Sequence, residues 1–316
     1  MSNILITGVA GFIGNTLAEN LLESGHKVTG IDNGYTGRAE NIIKLSAYRN
    51  FHYIEYDVTD DSVINHPSLQ PIKMIYHLAS PASPKWYQAA PFETITVNTL
   101  GTKYMLELAK INDAKLLYSS TSEIYGNPNQ HPQEESYNGN VNTWGPRACY
   151  DESKRLGEVY CYLYHSLYNT KVTVARIFNS YSAGLWKKDG RVMSNFVMQA
   201  LKGEDITVYG DGKQTRTFCY VEDTIAGLKK MMTNEIANGE IFNIGHPQEY
   251  TITEVAELVK SLTHSSSTIV YKDLPVDDPQ KRCPDITKAK ELLGWQPKIS
   301  LIEGLKRMIS EYRNDL

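Results

Sequence analysis

A glycine-rich turn near the start of the chain constrains the fold most strongly. The apolar run Ile4-Leu5-Ile6 leads into Gly8-Val9-Ala10-Gly11-Phe12-Ile13-Gly14, and residues 12–22 carry apolar side chains at helical spacing. The order is therefore strand, glycine turn and helix. Such glycines let the backbone approach a pyrophosphate, and the helix N-terminus offers unpaired N–H groups to an anion. The predicted dinucleotide contacts here are Gly8, Gly11, Phe12, Ile13 and Gly14.

Short apolar runs alternate with helical patterns through the first 180 residues. Further strands are predicted at residues 27–31, 51–54, 74–77, 115–119 and 172–177, and later helices at 91–110 and 150–168. This alternation is typical of an α/β fold with a parallel, doubly wound sheet. We predict that residues 1–180 form a Rossmann-type NAD-binding domain that residues 217–245 complete.

The regular alternation of predicted strands and helices ends after Asn179. Residues 184–191 are dense in glycine, lysine and aspartate. The elements predicted beyond them are a helix at 193–201, a strand at 207–209, a strand returning to the sheet at 241–243, and helices at 253–262 and 300–312. We predict that residues 181–316 mainly form a smaller, substrate-binding C-terminal lobe.

Composition and charge argue against several classes of protein. The net charge of −4 comes from interspersed acids and bases, which gives no general attraction to nucleic acid. The cysteines, Cys149, Cys161, Cys219 and Cys283, form neither a CxxC pair nor a metal-ligand cluster, so we expect reduced thiols and no metal. We find no signal peptide and no apolar run near the roughly 20 residues of a membrane span, and we expect a cytoplasmic protein without a membrane partner.

Residues after the predicted strands complete the dinucleotide site. Asp32 ends the second strand, where a carboxylate accepts hydrogen bonds from ribose hydroxyls and repels a 2′-phosphate. This favours NAD over NADP, although Arg38 stands close enough to serve a 2′-phosphate instead. Asp57 suits an adenine contact or is only a turn residue. The remaining predicted cofactor contacts are Asn33, Val58, Leu78, Ala79, Ser80 and Asn98.

A tyrosine and a lysine four residues apart carry the predicted chemistry. Tyr150 and Lys154 form YxxxK on a predicted helix, and this spacing places both side chains on one face. A nearby ammonium favours the tyrosinate, so Tyr150 is a candidate base for a substrate hydroxyl. The loop Ser120-Thr121-Ser122 can bind the same substrate oxygen. We interpret His77, at a strand end, as structural.

Several narrower motifs point to a family. The chain reads HLASPASP at 77–84, STSEIYG at 120–126, GPRACYDE at 145–152, DGRV at 189–192 with SNF at 194–196, and DDPQKR at 277–282. On these segments it resembles the extended short-chain dehydrogenases, and within them most closely the UDP-glucuronate decarboxylases, or UDP-xylose synthases. The resemblance covers nearly the whole chain. The glycine turn and YxxxK belong to the entire superfamily, whereas SPASP, GPRACYDE and DDPQKR are more specific.

The resemblance implies a reaction and a set of roles. UDP-glucuronate would be oxidised at C4 by bound NAD, lose its carboxylate as CO2 and be reduced again to UDP-xylose. Tyr150 would be the base for the C4 hydroxyl, and Lys154 would lower its pKa and hold the nicotinamide ribose. Thr121 would orient the sugar, and Glu123 would act as an acid/base or water-positioning group near C5. The implied substrate contacts are Pro84, Asn179, Arg191, Asn195, Tyr209, Arg216 and Arg282, the last facing the anionic part of the substrate.

Two segments bear on rival functions. Sugar-nucleotide 4,6-dehydratases carry Thr-Asp-Glu where this chain has Thr121-Ser122-Glu123, and a serine is a poor general acid. However, the family usually reads Asn-Thr-Tyr-Gly-Pro-Arg where residues 179–185 read Asn-Ser-Tyr-Ser-Ala-Gly-Leu. A UDP-hexose or UDP-N-acetylhexosamine 4,6-dehydratase or epimerase therefore stays open. A non-catalytic NAD-sensing regulator also stays open, although it would be expected to lack Tyr150 or Lys154.

Aromatic side chains recur near these motifs. We expect the pocket to be lined, or the lobes to be packed, by Trp86, Tyr87, Trp144 and Trp186. Three tyrosines at helical spacing after the YxxxK motif predict a core stripe or a subunit contact: Tyr160, Tyr164 and Tyr168. The resemblance favours a homodimer formed through this helix.

Overall fold

The structure is a computed structural model that describes residues 2–69 and 71–314. Its strands are β1 (Asn3–Thr7), β2 (Lys27–Asp32), β3 (Phe51–Glu55), β4 (Met74–His77), β5 (Lys115–Thr121), β6 (Val172–Ile177), β7 (Ser180–Tyr181), β8 (Ile206–Tyr209), β9 (Thr215–Thr217), β10 (Cys219–Tyr220), β11 (Ile241–Ile244), β12 (Glu249–Thr251) and β13 (Ile269–Lys272).

Helices separate most of these strands. They are α1 (Phe12–Glu23), α2 (Ala39–Ser46), α3 (Pro84–Ala89), α4 (Pro91–Thr96), α5 (Thr102–Asn112), α6 (Ala148–Tyr168), α7 (Val192–Lys202), α8 (Val221–Thr233), α9 (Ile252–Thr263), α10 (Thr287–Leu293) and α11 (Leu301–Asn314). A π-helical segment, Val97–Gly101, joins α4 to α5.

One parallel sheet organises the fold. Its strand order is β11-β6-β5-β4-β1-β2-β3, so β1 lies between β2 and β4. The chain winds outward from β1 to β3 and then returns to the other side of β1. A crevice for ligands forms at the carboxyl ends of the strands where the winding direction reverses. The predicted doubly wound sheet and the predicted return strand, which is β11 beside β6, are both confirmed.

Side chains that alternate along the strands fill two cores. Ile4 and Ile6 of β1 pack in the cluster that contains Leu17 of α1, whereas Leu5 packs in the cluster that contains Met105 of α5. Successive side chains of a strand point to opposite faces, so helices cover both faces of the sheet. This burial explains why the three central residues of β1, Ile4, Leu5 and Ile6, are all apolar.

The C-terminal elements continue the first of these cores. Three two-stranded sheets pair β7 with β10, β8 with β13 and β9 with β12. Apolar residues of α7, α9 and α11, such as Phe196, Val255 and Leu305, belong to the same buried cluster as Leu17. The division of the chain at residue 180 stays a prediction, because this cluster is shared across it.

One helix differs from the sequence-based expectation. The helix predicted at 91–110 is interrupted by the π-helical segment, where buried Asn98 donates from its amide to the Ser153 hydroxyl at 3.0 Å. Threonine hydroxyls reinforce the change in winding, because Thr102 Oγ1 donates to the Asn98 carbonyl at 2.7 Å. The π-helical segment is therefore tied to α6 through the Asn98 side chain.

Within the described residues, no helix is both long and apolar enough to cross a membrane.

Candidate active site

The carboxyl ends of the strands open into a cavity of about 860 Å³. Of the predicted site residues, it is lined by Gly8, Gly11, Phe12, Ile13, Gly14, Asp32, Asn33, Arg38, Asp57, Val58, Leu78, Ala79, Ser80, Pro84, Thr121, Ser122, Glu123, Tyr150, Lys154, Asn179, Arg191, Asn195, Tyr209 and Arg216. Residues far apart in the chain are thus brought to one place. Asn98 and Arg282 are outside this lining.

The glycine turn fits a pyrophosphate. Gly8 has φ +72°, and a Cβ there would lie 2.9 Å from the Ala79 backbone. A Cβ on Gly14 would lie 2.1 Å from the Gly8 carbonyl oxygen, so the turn is too tight for larger residues. Gly11 precedes α1 and provides no side-chain cap, and the first turn of α1 has no acidic residue. The first N–H groups of α1 therefore remain able to bind an anion.

Asp32 is fixed at the end of β2 by backbone donors. Its carboxylate accepts from the N–H of Ala10 and the N–H of Gly34, both at 2.9 Å. Burial raises the pKa of Asp32, and these two N–H groups oppose that rise. Arg38 also lines the cavity, with Nε 3.6 Å from Glu40. Asp32 is therefore placed to accept hydrogen bonds from a ribose, and Arg38 already has a partner.

Asp57 lies in the turn after β3, where its carboxylate accepts from the N–H of Thr59 at 2.8 Å, and its contact with adenine stays a prediction. Burial opposes ionisation, but hydrogen bonds from Thr59 and Asn33 lower the pKa of Asp57 below its usual value. Asn33 Nδ2 donates to Asp57 at 3.0 Å, which joins the loops after β2 and β3. Asp57 is thus a turn residue that also lines the cavity.

The predicted YxxxK pair lies on the face of α6 that packs against β5. The ring of Tyr150 stacks on Tyr87, with centroids 4.9 Å apart, and the side chain of Thr121 is near enough to the Tyr150 hydroxyl to lower its pKa. Lys154 Nζ donates to the Ser119 carbonyl at 2.8 Å and lies 5.8 Å from the Tyr150 ring centroid. Tyr150 and Lys154 therefore lie on one face of α6, beside the end of β5, and their roles stay predictions.

Burial sets the protonation of this pair. It raises the pKa of Tyr150 above its usual value, which the hydrogen bond from Thr121 only partly offsets. It also lowers the pKa of Lys154 to about 7. The protein alone therefore holds Tyr150 as the phenol. A cation bound beside Tyr150 would lower its pKa and favour the tyrosinate.

Five charged side chains form an alternating chain beneath Tyr150, in the order Arg282, Glu123, Arg147, Asp278 and Arg216, which we call the charge chain. Glu123 pairs with Arg282, and its other oxygen lies 2.6 Å from Arg147 Nη2. Asp278 lies 3.2 Å from Arg147 Nη1 and 2.7 Å from Arg216 Nη2. Segments far apart in the sequence, at residues 123–147 and 216–282, are thereby joined beside the cavity.

The charge chain fixes the ionisation of Glu123. Burial acts to raise its pKa, but the charges of Arg282 and Arg147 outweigh burial and lower the pKa to about 2. Glu123 is therefore a carboxylate at neutral pH. In this arrangement it can accept a hydrogen bond from a donor or a water molecule and so orient it.

Arg282 lies behind Glu123. It is 2% exposed, and its Nη2 donates to the Gly126 carbonyl at 3.1 Å. Its predicted contact with the anionic part of the substrate stays a prediction. Arg147 was given no role from the sequence. Of the two arginines that pair with Glu123, it is the one that lines the cavity. In the sequence, only its place in the GPRACYDE motif indicated that Arg147 belongs to the site.

Other predicted contacts are held by the chain itself. Arg191 pairs with Asp189, and Asn195 Nδ2 donates to the Gly190 carbonyl at 2.9 Å. Asn179 Nδ2 donates to the Thr217 carbonyl at 3.3 Å. These side chains are thus oriented at the cavity wall, and their contacts with a substrate stay predictions.

The remaining predictions have mixed outcomes. His77 is structural, as predicted: its ring nitrogens are bonded to the hydroxyls of Thr7 and Thr102, at 2.8 and 3.1 Å. Asn98 is fully buried against α6, a position that does not support the predicted cofactor contact. Trp144 is 95% exposed and lies outside the cavity lining. Two of the other aromatic residues considered, Trp86 and Trp186, line the cavity.

Metal binding finds no support in the described residues. Within residues 2–69 and 71–314, no three histidine, cysteine, aspartate or glutamate side chains are grouped so as to hold a metal ion.

The chain is similar to known proteins over most of its length. The model of the NAD dependent epimerase/dehydratase family matches residues 4–245. UDP-glucuronic acid decarboxylase 1 of Danio rerio is 49% identical over 313 residues, which are 99% of this chain and 73% of that protein. UDP-glucuronic acid decarboxylase 1 of Arabidopsis thaliana is 49% identical over 311 residues, which are 98% of this chain and 70% of that protein.

Solved structures show the same fold. UDP-glucose 4-epimerase of Thermotoga maritima with UDP-glucose superposes with a TM-score of 0.91 at 31% identity, covering 99% of both chains. A variant of UDP-glucuronic acid 4-epimerase from Bacillus cereus, in complex with UDP-4-deoxy-4-fluoro-glucuronic acid and NAD, gives a TM-score of 0.90 at 28% identity. That match covers 99% of this chain and 100% of the other. The resemblance found in the sequence is confirmed.

The ionisation of Glu123 predicts a pH-dependent contribution to stability. Its folded pKa of about 2 lies below its usual 4.5, so the carboxylate stabilises the fold above pH 4.5, and this contribution is lost as pH falls towards 2. We expect the stability advantage of the wild type over Glu123→Gln to shrink by about 1 kcal/mol between pH 6 and about pH 3.5. Urea unfolding of both proteins measures it. An advantage that stays constant over this range would contradict the charge chain.

The position of Asp32 predicts cofactor preference. NAD should bind more tightly than NADP because the Asp32 carboxylate would face a 2′-phosphate. Asp32→Ala should narrow this difference by about tenfold or more, since a like-charge contact is removed. Titration with both cofactors measures it, and Arg38→Ala is the matched control that should weaken NADP alone. A wild type that prefers NADP would show that Arg38 dominates the site.

Proposed function

The chain belongs to the NAD-dependent epimerase/dehydratase family, and within this family we propose that it decarboxylates UDP-glucuronate to UDP-xylose. The observation that carries the proposal is the charge state beside Tyr150. Glu123 is held as a carboxylate, and Ser122 stands where a dehydratase needs an acid. Removal of water from C6 requires a proton for the departing hydroxyl, whereas loss of CO2 does not. The near full-length identity to decarboxylases supports the same choice.

The residues present fit NAD. The glycine turn and the uncapped N-terminus of α1 suit its pyrophosphate, Asp32 suits a ribose, and Lys154 lies where the sheet ends beside Tyr150. When bound, NAD supplies an acceptor for the hydride of the sugar C4 and returns that hydride later in the same turnover.

Tyr150 and Thr121 act on the oxygen at C4. Tyr150 removes the proton of the C4 hydroxyl as hydride leaves C4, and it returns a proton to the same oxygen at the end of the turnover. Thr121, whose side chain lies near the Tyr150 hydroxyl, orients this oxygen. Lys154 has a pKa of about 7, so it is protonated below that pH. Its positive charge then stabilises the tyrosinate.

Loss of CO2 follows from the ketone that this oxidation creates at C4. The carboxylate at C5 is then β to a carbonyl, so the electrons of the bond to CO2 move into the C4 oxygen. Tyr150 and Thr121 stabilise the resulting negative charge by hydrogen bonding. Because Glu123 is ionised, we assign to it the orientation of a water molecule that protonates C5, and not direct proton donation.

The arginines of the charge chain can bind the anionic groups of the substrate. We propose that Arg216, which now pairs with Asp278, binds the diphosphate, since its planar fork suits spaced phosphate oxygens. Arg147 lines the cavity and Arg282 stands behind Glu123, so together they favour an acidic sugar near Tyr150. This local charge offsets the overall negative charge of the chain.

Product analysis tests the proposed function. The purified protein is offered UDP-glucuronate, UDP-N-acetylglucosamine and dTDP-glucose in separate reactions, and products are identified by mass and NMR. We expect CO2 and a UDP-pentose from UDP-glucuronate alone, with no added reductant and no net consumption of cofactor. Conversion of UDP-glucuronate to its C4 epimer, or loss of water from a hexosamine, would overturn the assignment.

The role of Tyr150 predicts a kinetic effect. Tyr150→Phe should lower turnover by about two to four orders of magnitude, the usual size of a general-base contribution, with folding and NAD binding intact. Tyr162→Phe, on the exposed side of the same helix, is the matched control and should leave turnover unchanged. Near-normal activity of Tyr150→Phe would remove the central chemical claim.

We also propose that two copies of the chain associate through α6 and α4. Leu156, Val159, Leu163 and Leu167 form an exposed apolar stripe along α6, and the neighbouring helix α4 exposes Phe92. Apolar side chains at this spacing form one helix face, and exposed stripes of this kind mark interfaces. A symmetric dimer would bury the stripe against its own copy. The tyrosines that were predicted to form one stripe do not share one environment, because Tyr164 is buried and Tyr168 is exposed.

A charge in this stripe tests the dimer. Leu163→Glu should convert the dimer into a monomer, because a carboxylate would be buried against its own copy. Sedimentation measures the mass of both forms. Ile236→Glu, an exposed position on another part of the chain, should leave the mass unchanged. A wild type that is monomeric at micromolar concentration, or an unaffected Leu163→Glu variant, would contradict the proposal.

A further inference from the structure

Three aromatic rings from three separate segments of the chain lie in a row along the cavity wall. Tyr35 follows β2, Trp86 lies in α3, and Trp186 precedes α7. Trp86 and Trp186 are stacked, with centroids 5.6 Å apart and an interplanar angle of 21°, and Tyr35 meets Trp86 edge-on at 6.3 Å. Both are favourable arrangements of aromatic pairs. All three residues line the cavity.

A lysine reinforces the stacked pair. Lys85 Nζ lies 5.0 Å from the ring centroid of Trp86 and 5.7 Å from that of Trp186. It also donates to the Lys188 carbonyl at 3.3 Å. The ammonium thus contacts both rings and the backbone beyond Trp186, which ties α3 to the loop before α7.

Each end of this row contacts, directly or through its loop, a segment that is expected to bind the cofactor. At one end, the N–H of Tyr35 donates to Asn33 Oδ1 at 3.1 Å, next to Asp32. At the other end, Gly184 lies so close to Phe12 of the glycine turn that a Cβ would be 3.1 Å from the phenyl ring. The loop is anchored there, because the Leu185 carbonyl accepts from Tyr312 at 2.7 Å. The row therefore spans the groove from the ribose end to the turn.

Packing of the core does not account for these rings. Tyr35 and Trp186 are 46% and 37% exposed, and neither they nor Trp86 belong to the buried apolar clusters of the described residues. Large aromatic side chains gain most when they are buried. Here the rings are partly exposed to solvent, and they contact each other.

We propose that Tyr35, Trp86 and Trp186, with Lys85, form an aromatic strap that slows the release of NAD from the groove. A dinucleotide leaving the glycine turn has to pass between the loops that the strap joins, so release requires the stacked pair to separate. The inference rests on the family's cofactor and serves the proposed function, in which hydride taken from C4 has to return to the same sugar. A cofactor lost before that return would leave an oxidised product.

Release of NADH tests the strap without any turnover. The protein is loaded with NADH and mixed rapidly with excess NAD, and the loss of bound NADH fluorescence gives the dissociation rate. We expect Trp86→Ala and Trp186→Ala each to raise this rate about tenfold, which corresponds to about 1.4 kcal/mol. The double variant should release NADH no faster than either single variant, because the two rings share one contact. Trp86→Phe should retain most of the wild-type behaviour.

A matched control variant shows whether faster release is specific to the strap. Trp144→Ala removes an exposed tryptophan outside the cavity lining and should leave the release rate unchanged. Circular dichroism and UDP binding verify that each variant is folded. Unchanged rates in both single variants would overturn the strap, and so would additive effects in the double variant, which indicate that each ring binds the cofactor separately. A wild type that leaves UDP-glucuronate unaltered would overturn the proposed function alone, because the release rates do not depend on it.

Discussion

The site depends on how closely α6 approaches β5. A Cβ on Gly157 of α6 would lie 2.1 Å from the hydroxyl of Tyr118 on β5, so only glycine permits this packing. At this separation Lys154 reaches the Ser119 carbonyl and Tyr150 reaches Thr121. The helix therefore carries the tyrosine and the lysine, while the strand supplies their partners. A larger residue at position 157 would move both functional side chains away from the end of β5.

This close packing also determines the charges. Burial keeps Tyr150 protonated and lowers the pKa of Lys154 to about 7, so the pair is arranged to respond to a cation placed beside it. Glu123 shows the opposite behaviour, because two arginines hold its pKa at about 2. Neighbouring groups thus keep different protonation states within one cavity. In the proposed reaction, this difference allows Tyr150 to act as a base at C4 while the charge of Glu123 stays fixed.

Features encoded by local spacing could be predicted from the sequence. The glycine turn, Asp32 at a strand end and the YxxxK pair all depend on residues close together in the chain. In the structure they line one cavity, and their roles stay predictions. The charge chain could not be derived in this way, since Arg282 and Glu123 meet only after folding. Arg147 was visible only as part of a motif.

Tertiary contacts also explain where the expectations did not hold. The helix predicted at 91–110 is interrupted by the π-helical segment, which turns the Asn98 amide towards Ser153, and the contact of Asn98 with the cofactor stays a prediction. The aromatic row at the cavity rim follows from loops that are distant in sequence, so composition alone gave only the choice between pocket and packing. The fold was therefore predictable to a greater extent than the contacts that select the reaction.

A tracer experiment tests the central claim most directly, which is that the hydride removed from C4 returns to the same sugar after CO2 is lost. UDP-glucuronate labelled with deuterium at C4 is converted by the purified protein in ordinary water, and the product is examined by NMR. The account predicts a UDP-pentose that retains deuterium at C4 and carries a solvent-derived proton at C5. Loss of the label from C4, or a labelled hexuronate that keeps its carboxylate, would contradict it.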